Sequence, residues 1–142
     1  MEFKFEIIKE AKQMDVSFHL VKQLTPEITV EAYTQYINEM VERGYYQVIV
    51  RNDEDNVIGV TGIWIATKLY CGKYMEMDNV VVDEKYRSVG LGKQLYEYCL
   101  SIANENNCKV IMLDAYRENI RAHDFYEGKG FIKRGFHFIK KL

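Results

Sequence analysis

The sequence predicts an α/β domain, with one central sheet and helices packed against it. Segments in which apolar and polar residues alternate are interleaved with segments of helical period, a mixture typical of this class. The chain has 142 residues, of which 48% are hydrophobic and 28% are charged. This composition is ordinary for a globular protein and the length suits one domain, so we expect residues 1–142 to fold as a single unit.

The N-terminal half indicates a strand, two helices and a pair of strands, in that order. Phe3, Phe5 and Ile7 alternate with charged side chains, as in a half-buried strand. Two helical patterns follow, separated by a Thr-Pro pair, and Gly44 ends the second. The predicted bounds are 3–7 for the strand, 12–23 and 30–41 for the helices, and 46–50 and 57–65 for the paired strands, which the polar turn 52–56 joins as a hairpin.

The C-terminal half alternates strands and helices. The apolar triplet Val80, Val81 and Val82 is expected of a strand covered on both faces, so the strand that it ends should lie inside the sheet. The predicted bounds are 74–82 for this strand, about 92 to 104 for a helix, Val110–Leu113 for a fifth strand, 120–127 for a helix, and Phe131 onward, with Phe136, Phe138 and Ile139, for one or two final strands.

Charge and hydropathy narrow the range of partners. The net charge is −2, with acidic and basic residues mixed along the chain. We therefore expect neither nucleic acid nor an anionic lipid surface as a partner. No apolar run approaches the roughly 20 residues that span a bilayer, and the first residues contain no apolar signal core. No membrane partner is predicted, and the expected location is cytoplasmic.

The three cysteines, Cys71, Cys99 and Cys108, suggest no chemistry. Their number is odd and no pair has C-x-x-C spacing, so we expect neither a disulfide framework nor a zinc site, and we predict no metal. Cys99 falls on the apolar face of a predicted helix, where a cysteine behaves as a small buried hydrophobe.

The turn between the valine triplet and the following helix is a candidate binding site. It leaves a buried strand and enters a helix, so its backbone N–H groups converge at a helix N-terminus, which favours an anion. Gly90 and Gly92 let a ligand approach the backbone closely, while Arg87 and Lys93 add positive charge. A P-loop is excluded because Arg87 occupies the place of its first glycine. A dinucleotide fingerprint is excluded because Leu95 occupies the place of its third glycine.

Two separate blocks of sequence carry a further pattern. The first, residues 80–93, has R-x-x-G-x-G after a valine-rich strand, and the second, residues 119–131, has N-x-x-A-x-x-F-Y-x-x-x-G-F. In this order and at this distance, the two blocks resemble the acyl-CoA motifs of the GNAT superfamily of N-acetyltransferases. The resemblance is close over residues 77–131 and looser elsewhere, and Ser88 replaces the glycine that usually follows the arginine.

The resemblance implies a fold and an acyl donor. The fold is a mixed, mostly antiparallel sheet of six to seven strands with about four helices, splayed between its fourth and fifth strands. The donor is acetyl-CoA, whose pantetheine would lie in that gap and pair with the backbone near Val80 and Val82 like an added strand. The residues implied to bind the donor are Val80, Val81, Val82, Arg87, Ser88, Val89, Gly90, Leu91, Gly92, Lys93, Asn119 and Tyr126.

Three residues are candidates for catalysis. Glu76 and Asp78 precede the valine triplet at i and i+2, so their side chains project from one face of the strand. Either can be the base that deprotonates an amine, or can instead neutralise a cationic acceptor or pair with a local lysine or arginine. The resemblance implies that Tyr126 is the acid for the departing thiolate, and a core role is its alternative. His123 and His137 match no motif position that fixes a role, and we expect ordinary surface or core histidines there.

The resemblance, together with these residues, predicts an N-acetyltransferase that moves an acetyl group from acetyl-CoA to a primary amine by direct attack in a ternary complex. The acceptor is expected to be a small-molecule or peptide amine, and Trp64, Tyr70 and Tyr74 are candidate walls of its pocket or packing residues. The alternative is a non-catalytic acyl-CoA-binding regulatory or interaction module, which needs the loop but no acid. A homodimer is left open, because dimerisation is common in such folds and leaves no signature in this sequence.

Overall fold

A computed structural model of the protein describes residues 2–142. Met1, where the predicted domain begins, lies outside this range. The strands are β1 (Lys4–Ile8), β2 (Tyr46–Arg51), β3 (Val57–Lys68), β4 (Gly72–Val82) and β5 (Val110–Leu113). The helices are α1 (Phe18–Leu24), α2 (Val30–Glu42), α3 (Leu91–Glu105) and α4 (Ile120–Gly128), with 3₁₀ segments at Ala11–Ser17 and Glu84–Val89. Over this range, no helix has both the length and the apolar character needed to cross a membrane.

The strands form one sheet in the order β1-β2-β3-β4-β5. The first three pairings are antiparallel, whereas β4 and β5 are parallel because α3 carries the chain back between them. The predicted α/β fold with a mostly antiparallel sheet is confirmed. The ladder between β4 and β5 ends at Met77 and Leu113, so residues 78–82 have no β5 partner within the described chain. Within residues 2–142, this edge of β4 is therefore unpaired beyond the end of β5, and we call this place the gap between β4 and β5.

The predicted number of strands, six to seven, is wrong, because the sheet within residues 2–142 has five. Phe131 onward, expected to supply the last strand or strands, forms no regular element. Phe136 and Phe138 have the alternation of a strand, but their side chains are 85% and 95% exposed. Alternation stabilises a strand only where a partner strand satisfies its backbone N–H and C=O groups. The neighbouring edge strand, β5, is only 4 residues long.

The helix predictions also need a correction. Residues 12–23, predicted as one helix, form the 3₁₀ segment Ala11–Ser17 followed by α1. A 3₁₀ turn places every third side chain on one face, and here that face turns Met14 and Ser17 into the interior. Residues 2–142 thus contain four α-helices and two 3₁₀ segments, which is more than the predicted total of about four helices.

Each face of the sheet is covered by different helices. The first 3₁₀ segment, α1 and α2 pack against one face, and α3 packs against the other. The completely buried side chains on the first face include Met14, Leu20 and Ile49. Those on the second face include Met75, Leu91, Leu95 and Cys99. The β4 strand is therefore covered on both sides, as the valine triplet predicted.

A bulge in β4 decides which face its side chains occupy. Asn79 has a φ of 52°, and the register with β3 shifts at this point. Before the bulge Met77 faces α3, whereas after it Val81 packs on the face of α1 and α2. The alternation of a strand then places Glu76 and Asp78 on the α1–α2 face, beside the gap between β4 and β5.

Candidate functional site

The glycine loop is tied to the sheet at its start and to α3 at its end. Asp83 donates its backbone N–H to Ile58 O at 2.8 Å. The chain then makes the 3₁₀ segment Glu84–Val89. Gly90 follows it as the N-cap of α3, with a φ of 82°. This left-handed backbone favours glycine. Leu91, the first residue of α3, is completely buried, and that burial anchors the helix terminus by about 1.5–3 kcal/mol.

The space around the loop is open to a ligand. A Cβ added at Gly90 or Gly92 would meet no other atom within 4 Å, so a ligand can approach the backbone there. The N–H groups in the first turn of α3 have no partner within the helix and form the positive end of its dipole. Arg87 Nε donates to Val82 O at 3.2 Å, which holds the guanidinium beside the loop with its side chain 42% exposed. Lys93 is exposed in the same first turn.

Glu76 and Asp78 lie on β4 next to the gap. Both are half-buried. Trp64 of β3 is paired with Glu76 across the ladder, and its Nε1 donates a hydrogen bond to Asp78 Oδ2 at 3.1 Å. The two carboxylates therefore differ, because one oxygen of Asp78 is held by a fixed donor. The sequence predicted that both side chains share a face, but it did not predict this donor.

The surroundings of Glu76 increase its affinity for a proton. Burial raises the pKa of Glu76, and the negative charges of Asp78 and Asp114 raise it further. Lys68 and His137 act in the opposite direction without reversing the shift. A carboxyl group whose pKa is moved toward neutrality is better matched to general-base work than an ordinary surface glutamate.

Asp114 and His137 complete this group of charged side chains. His137 Nε2 lies 3.1 Å from Asp114 Oδ1. Asp114 follows β5 directly, and the carboxyl ends of parallel strands meet at one edge of a sheet. No local sequence pattern brings Asp114 to Glu76, because their proximity depends on the register of β5 against β4. His123 instead has its Nε2 at 2.8 Å from Tyr116 O.

Tyr126 lies on α4 among aromatic rings. Its ring centroid is 5.1 Å from that of Phe125 and 5.4 Å from that of Phe131, both with edge-to-face geometry. Burial raises the pKa of Tyr126 to about 12, with a smaller contribution from Cys99. The phenol therefore keeps its proton at neutral pH and is available as a donor. Asn119 Oδ1 accepts from the backbone N–H of Ala122 at 3.2 Å and so caps the helix that carries Tyr126.

Cys99 and Cys108 are poor nucleophiles. Cys99 is completely buried, which confirms the predicted small hydrophobe, and burial raises the pKa of its thiol to about 12. Burial also raises the pKa of Cys108. In the part of the chain that the structure describes, no group of three or more His, Cys, Asp or Glu side chains is arranged to hold a metal ion.

Comparison with known sequences identifies related proteins. A model of the acetyltransferase (GNAT) family matches residues 11–131. A glucosamine 6-phosphate N-acetyltransferase of Arabidopsis thaliana is 26% identical over 145 residues, which cover 97% of this chain and 95% of that protein. The uncharacterized N-acetyltransferase YhdJ of Bacillus subtilis is 23% identical over 127 residues, or 89% of each chain.

Comparison with solved structures gives the same fold. The crystal structure of glucosamine-6-phosphate N-acetyltransferase from Arabidopsis thaliana aligns with a TM-score of 0.75 at 24% identity and covers 100% of this chain and 99% of that chain. AAC(6')-Iy in complex with the bisubstrate analog CoA-S-monomethyl-acetylneamine aligns with a TM-score of 0.83 at 18% identity, over 100% of both chains. At these identities, the likeness establishes the shared architecture.

Proposed function

The chain belongs to the acetyltransferase (GNAT) family, and from that premise we propose that it moves an acetyl group from acetyl-CoA to a primary amine by direct attack in a ternary complex. The observation that carries the proposal is the half-buried Glu76, with its raised pKa, at the point where β4 separates from β5. The glycine loop comes directly after this strand in the chain. A candidate proton acceptor and a candidate site for the donor are thus joined by a few residues of β4.

In this proposal the glycine loop holds the acyl donor. The backbone N–H groups at Gly90 and in the first turn of α3 bind the diphosphate, supported by the charges of Arg87 and Lys93. Backbone groups near Val80 and Val82, which have no β5 partner in the described range, are available to pantetheine. Bound acetyl-CoA supplies an activated thioester, whose acetyl carbon is joined to the acceptor nitrogen as its bond to sulfur breaks.

Glu76 is the proposed general base. An alkylamine with an ordinary pKa of about 10.4 is almost fully protonated at pH 7, and removing that proton costs about 4.6 kcal/mol. Glu76 would take the proton from the ammonium, directly or through water, and leave a neutral nucleophile. Its raised pKa supports this role, because the proton affinity of the base is moved closer to that of the amine.

Tyr126 is the proposed donor to the departing sulfur. Since burial raises its pKa to about 12 and a thiol has an ordinary pKa of about 8.5, complete proton transfer from the phenol to a thiolate would be uphill by about 5 kcal/mol. Tyr126 would therefore stabilise the developing thiolate through a hydrogen bond. The protons balance because the ammonium nitrogen loses two on becoming an amide nitrogen: one passes through Glu76 to solvent, and the other is taken up by the sulfur.

Direct attack is favoured over an intermediate acetylated on Cys99 or Cys108. A thiolate is the nucleophilic form of cysteine, and the raised pKa of Cys99 keeps that buried thiol protonated near neutral pH. Cys108 is shifted in the same direction. A neutral amine delivered by Glu76 needs neither group.

The proposed acceptor is a cationic amine. Glu76, Asp78 and Asp114 place three carboxyl groups around the gap, and these attract an ammonium before it is deprotonated. The names of several relatives refer to glucosamine 6-phosphate and to aminoglycosides. Amino sugars therefore belong in any acceptor panel, together with polyamines, lysine and peptide N-termini.

The proposal is tested by incubating purified protein with acetyl-CoA and an amine panel and measuring free thiol, with CoA binding measured in parallel by calorimetry. We expect amine-dependent release of thiol. Saturable binding of CoA with no release for any amine would instead support a regulatory module that binds acyl-CoA without transferring the acyl group. If CoA itself does not bind, both functions are excluded.

A further inference from the structure

Asp78 is held in place by a hydrogen bond from an aromatic side chain. Trp64 Nε1 donates to Asp78 Oδ2 at 3.1 Å, and such a donor stabilises the carboxylate anion. Trp64 is itself packed against Tyr45, with 5.1 Å between the ring centroids. The indole is therefore packed against an aromatic ring as well as hydrogen-bonded to the carboxylate.

Tyr45 can occupy this place because residue 62 is glycine. Gly62 is paired with Asp78 across the ladder of β3 and β4. A Cβ added at Gly62 would lie 2.5 Å from Tyr45 Cε1 and 2.6 Å from its hydroxyl oxygen. The Tyr45 ring thus lies against bare backbone beside the two carboxylates, in a space that any side chain at residue 62 would fill.

A buried polar network fixes Tyr45 in turn. Gln47 is completely buried, and its Nε2 donates to Tyr45 Oη at 3.1 Å and to Tyr33 Oη at 3.3 Å. Its Oε1 accepts from Ser17 Oγ at 2.7 Å, and Tyr33 Oη donates to Met14 O at 2.7 Å. The network ties the first 3₁₀ segment, α2 and β2 together. Every buried side-chain polar atom in residues 2–142 has a partner, so the support is rigid.

We propose that Trp64 is a positioning residue, which fixes the Asp78 carboxylate as the anion that orients the acceptor ammonium and leaves Glu76 to take the proton. This inference rests on the proposed function and assigns different roles to the two carboxylates. Asp78 has one oxygen on the indole and one left for the substrate. Glu76 has its pKa raised partly by the charge of Asp78, so holding Asp78 in place also maintains the proton affinity of the base.

The first test is the double-mutant cycle of Trp64→Phe and Asp78→Asn. Trp64→Phe removes the indole N–H but keeps a ring against Tyr45, and we expect kcat/KM for the amine to fall roughly tenfold to hundredfold. The KM for acetyl-CoA should be unchanged, because the loop is not touched. In the Asp78→Asn background, Trp64→Phe should have little further effect. Fully additive losses would overturn the positioning role.

A control variant separates positioning from general damage. Ile102→Ala shortens a buried side chain of α3, which packs on the face of the sheet opposite to the two carboxylates. It should lower the melting temperature while leaving kcat/KM near the wild-type value. If Ile102→Ala lowers kcat/KM as much as Trp64→Phe does, the role of Trp64 is only structural and the inference is overturned.

Fluorescence gives a readout that does not require turnover. Trp64 is the only tryptophan in the chain, so the emission of the protein reports on its contact with Asp78. Asp78→Asn should change the emission of the substrate-free protein, whereas the exposed substitution Glu97→Gln on α3 should not. Wild-type protein that transfers no acetyl group would refute the proposed function. If Asp78→Asn does not change the emission, the inference about Trp64 is overturned, whether or not the wild-type protein transfers acetyl groups.

Discussion

Replacing Glu76 by Gln is the most informative single perturbation of the proposed base. The substitution preserves size and polarity and removes only the ability to accept a proton. At pH 7, an acceptor with an ordinary pKa of about 10.4 is neutral in about one molecule in 2,500. A positioned base typically contributes a factor of about 10² to 10⁴. We expect kcat/KM of Glu76→Gln to fall about hundredfold at pH 7, and less as the pH approaches the pKa of the amine.

The assay is thiol release measured from about pH 4 to about pH 10, a range that includes the ordinary pKa of a glutamate and approaches that of the amine. Wild-type activity should rise as Glu76 ionises, and Glu76→Gln should lose that rise and follow the deprotonation of the amine alone. Glu97→Gln, the same chemical change at an exposed position on α3, controls for loss of one charge. If Glu76→Gln and Asp78→Asn both keep the wild-type pH–rate profile, neither residue is the base.

The same substitution has a predicted effect on stability. Because the pKa of Glu76 is raised above its ordinary value of 4.5 in the folded protein, folding favours the protonated group. The stabilisation from the protonated Glu76 is fully present below pH 4.5 and is lost as the pH rises through the raised pKa of the folded protein. Glu76→Gln should therefore match wild type in acid and have a higher melting temperature at neutral pH. A lower melting temperature at pH 7 would contradict the burial argument.

Three further predictions concern the rest of the site. Tyr126→Phe should reduce turnover about hundredfold with CoA affinity within about twofold of wild type, and wild-type turnover would exclude Tyr126 as the donor to sulfur. Gly90→Ala should cost about 1–2 kcal/mol of stability, because φ is 82° there, and should weaken CoA binding. Gly92→Ala, in ordinary helical backbone, is the matched control for strain and should keep the stability of wild type; an equal loss of stability in a denaturation assay would refute the strain argument. Gly62→Ala should cost about 1–3 kcal/mol through its clash with Tyr45, and a wild-type denaturation midpoint would refute that packing.

The parts of the site that depend on local sequence could be predicted. Gly90 and Gly92 stand where a buried strand meets a helix, and the proposed anion site depends on backbone geometry that neighbouring residues determine. The shared face of Glu76 and Asp78 follows from strand alternation over three residues. Neither inference needs knowledge of which strands pair.

The contacts between distant segments could not be predicted in the same way. The hydrogen bond from Trp64 to Asp78 depends on the register of β3 against β4, which shifts at the bulge of Asn79. Asp114 joins the site only because β5 is parallel to β4. Phe136 was expected on a strand, but alternation alone does not supply a partner for the backbone.

The measurement that bears most directly on the proposed acetyl transfer is a single-turnover experiment with labelled acetyl-CoA, excess protein and an amine acceptor from the panel. Reaction products and intact protein are separated by mass spectrometry at intervals. Direct attack predicts that the label appears on the amine nitrogen in step with free thiol and never on the protein. Label retained on Cys99 or another side chain, or released only as acetate, would contradict direct transfer to an amine.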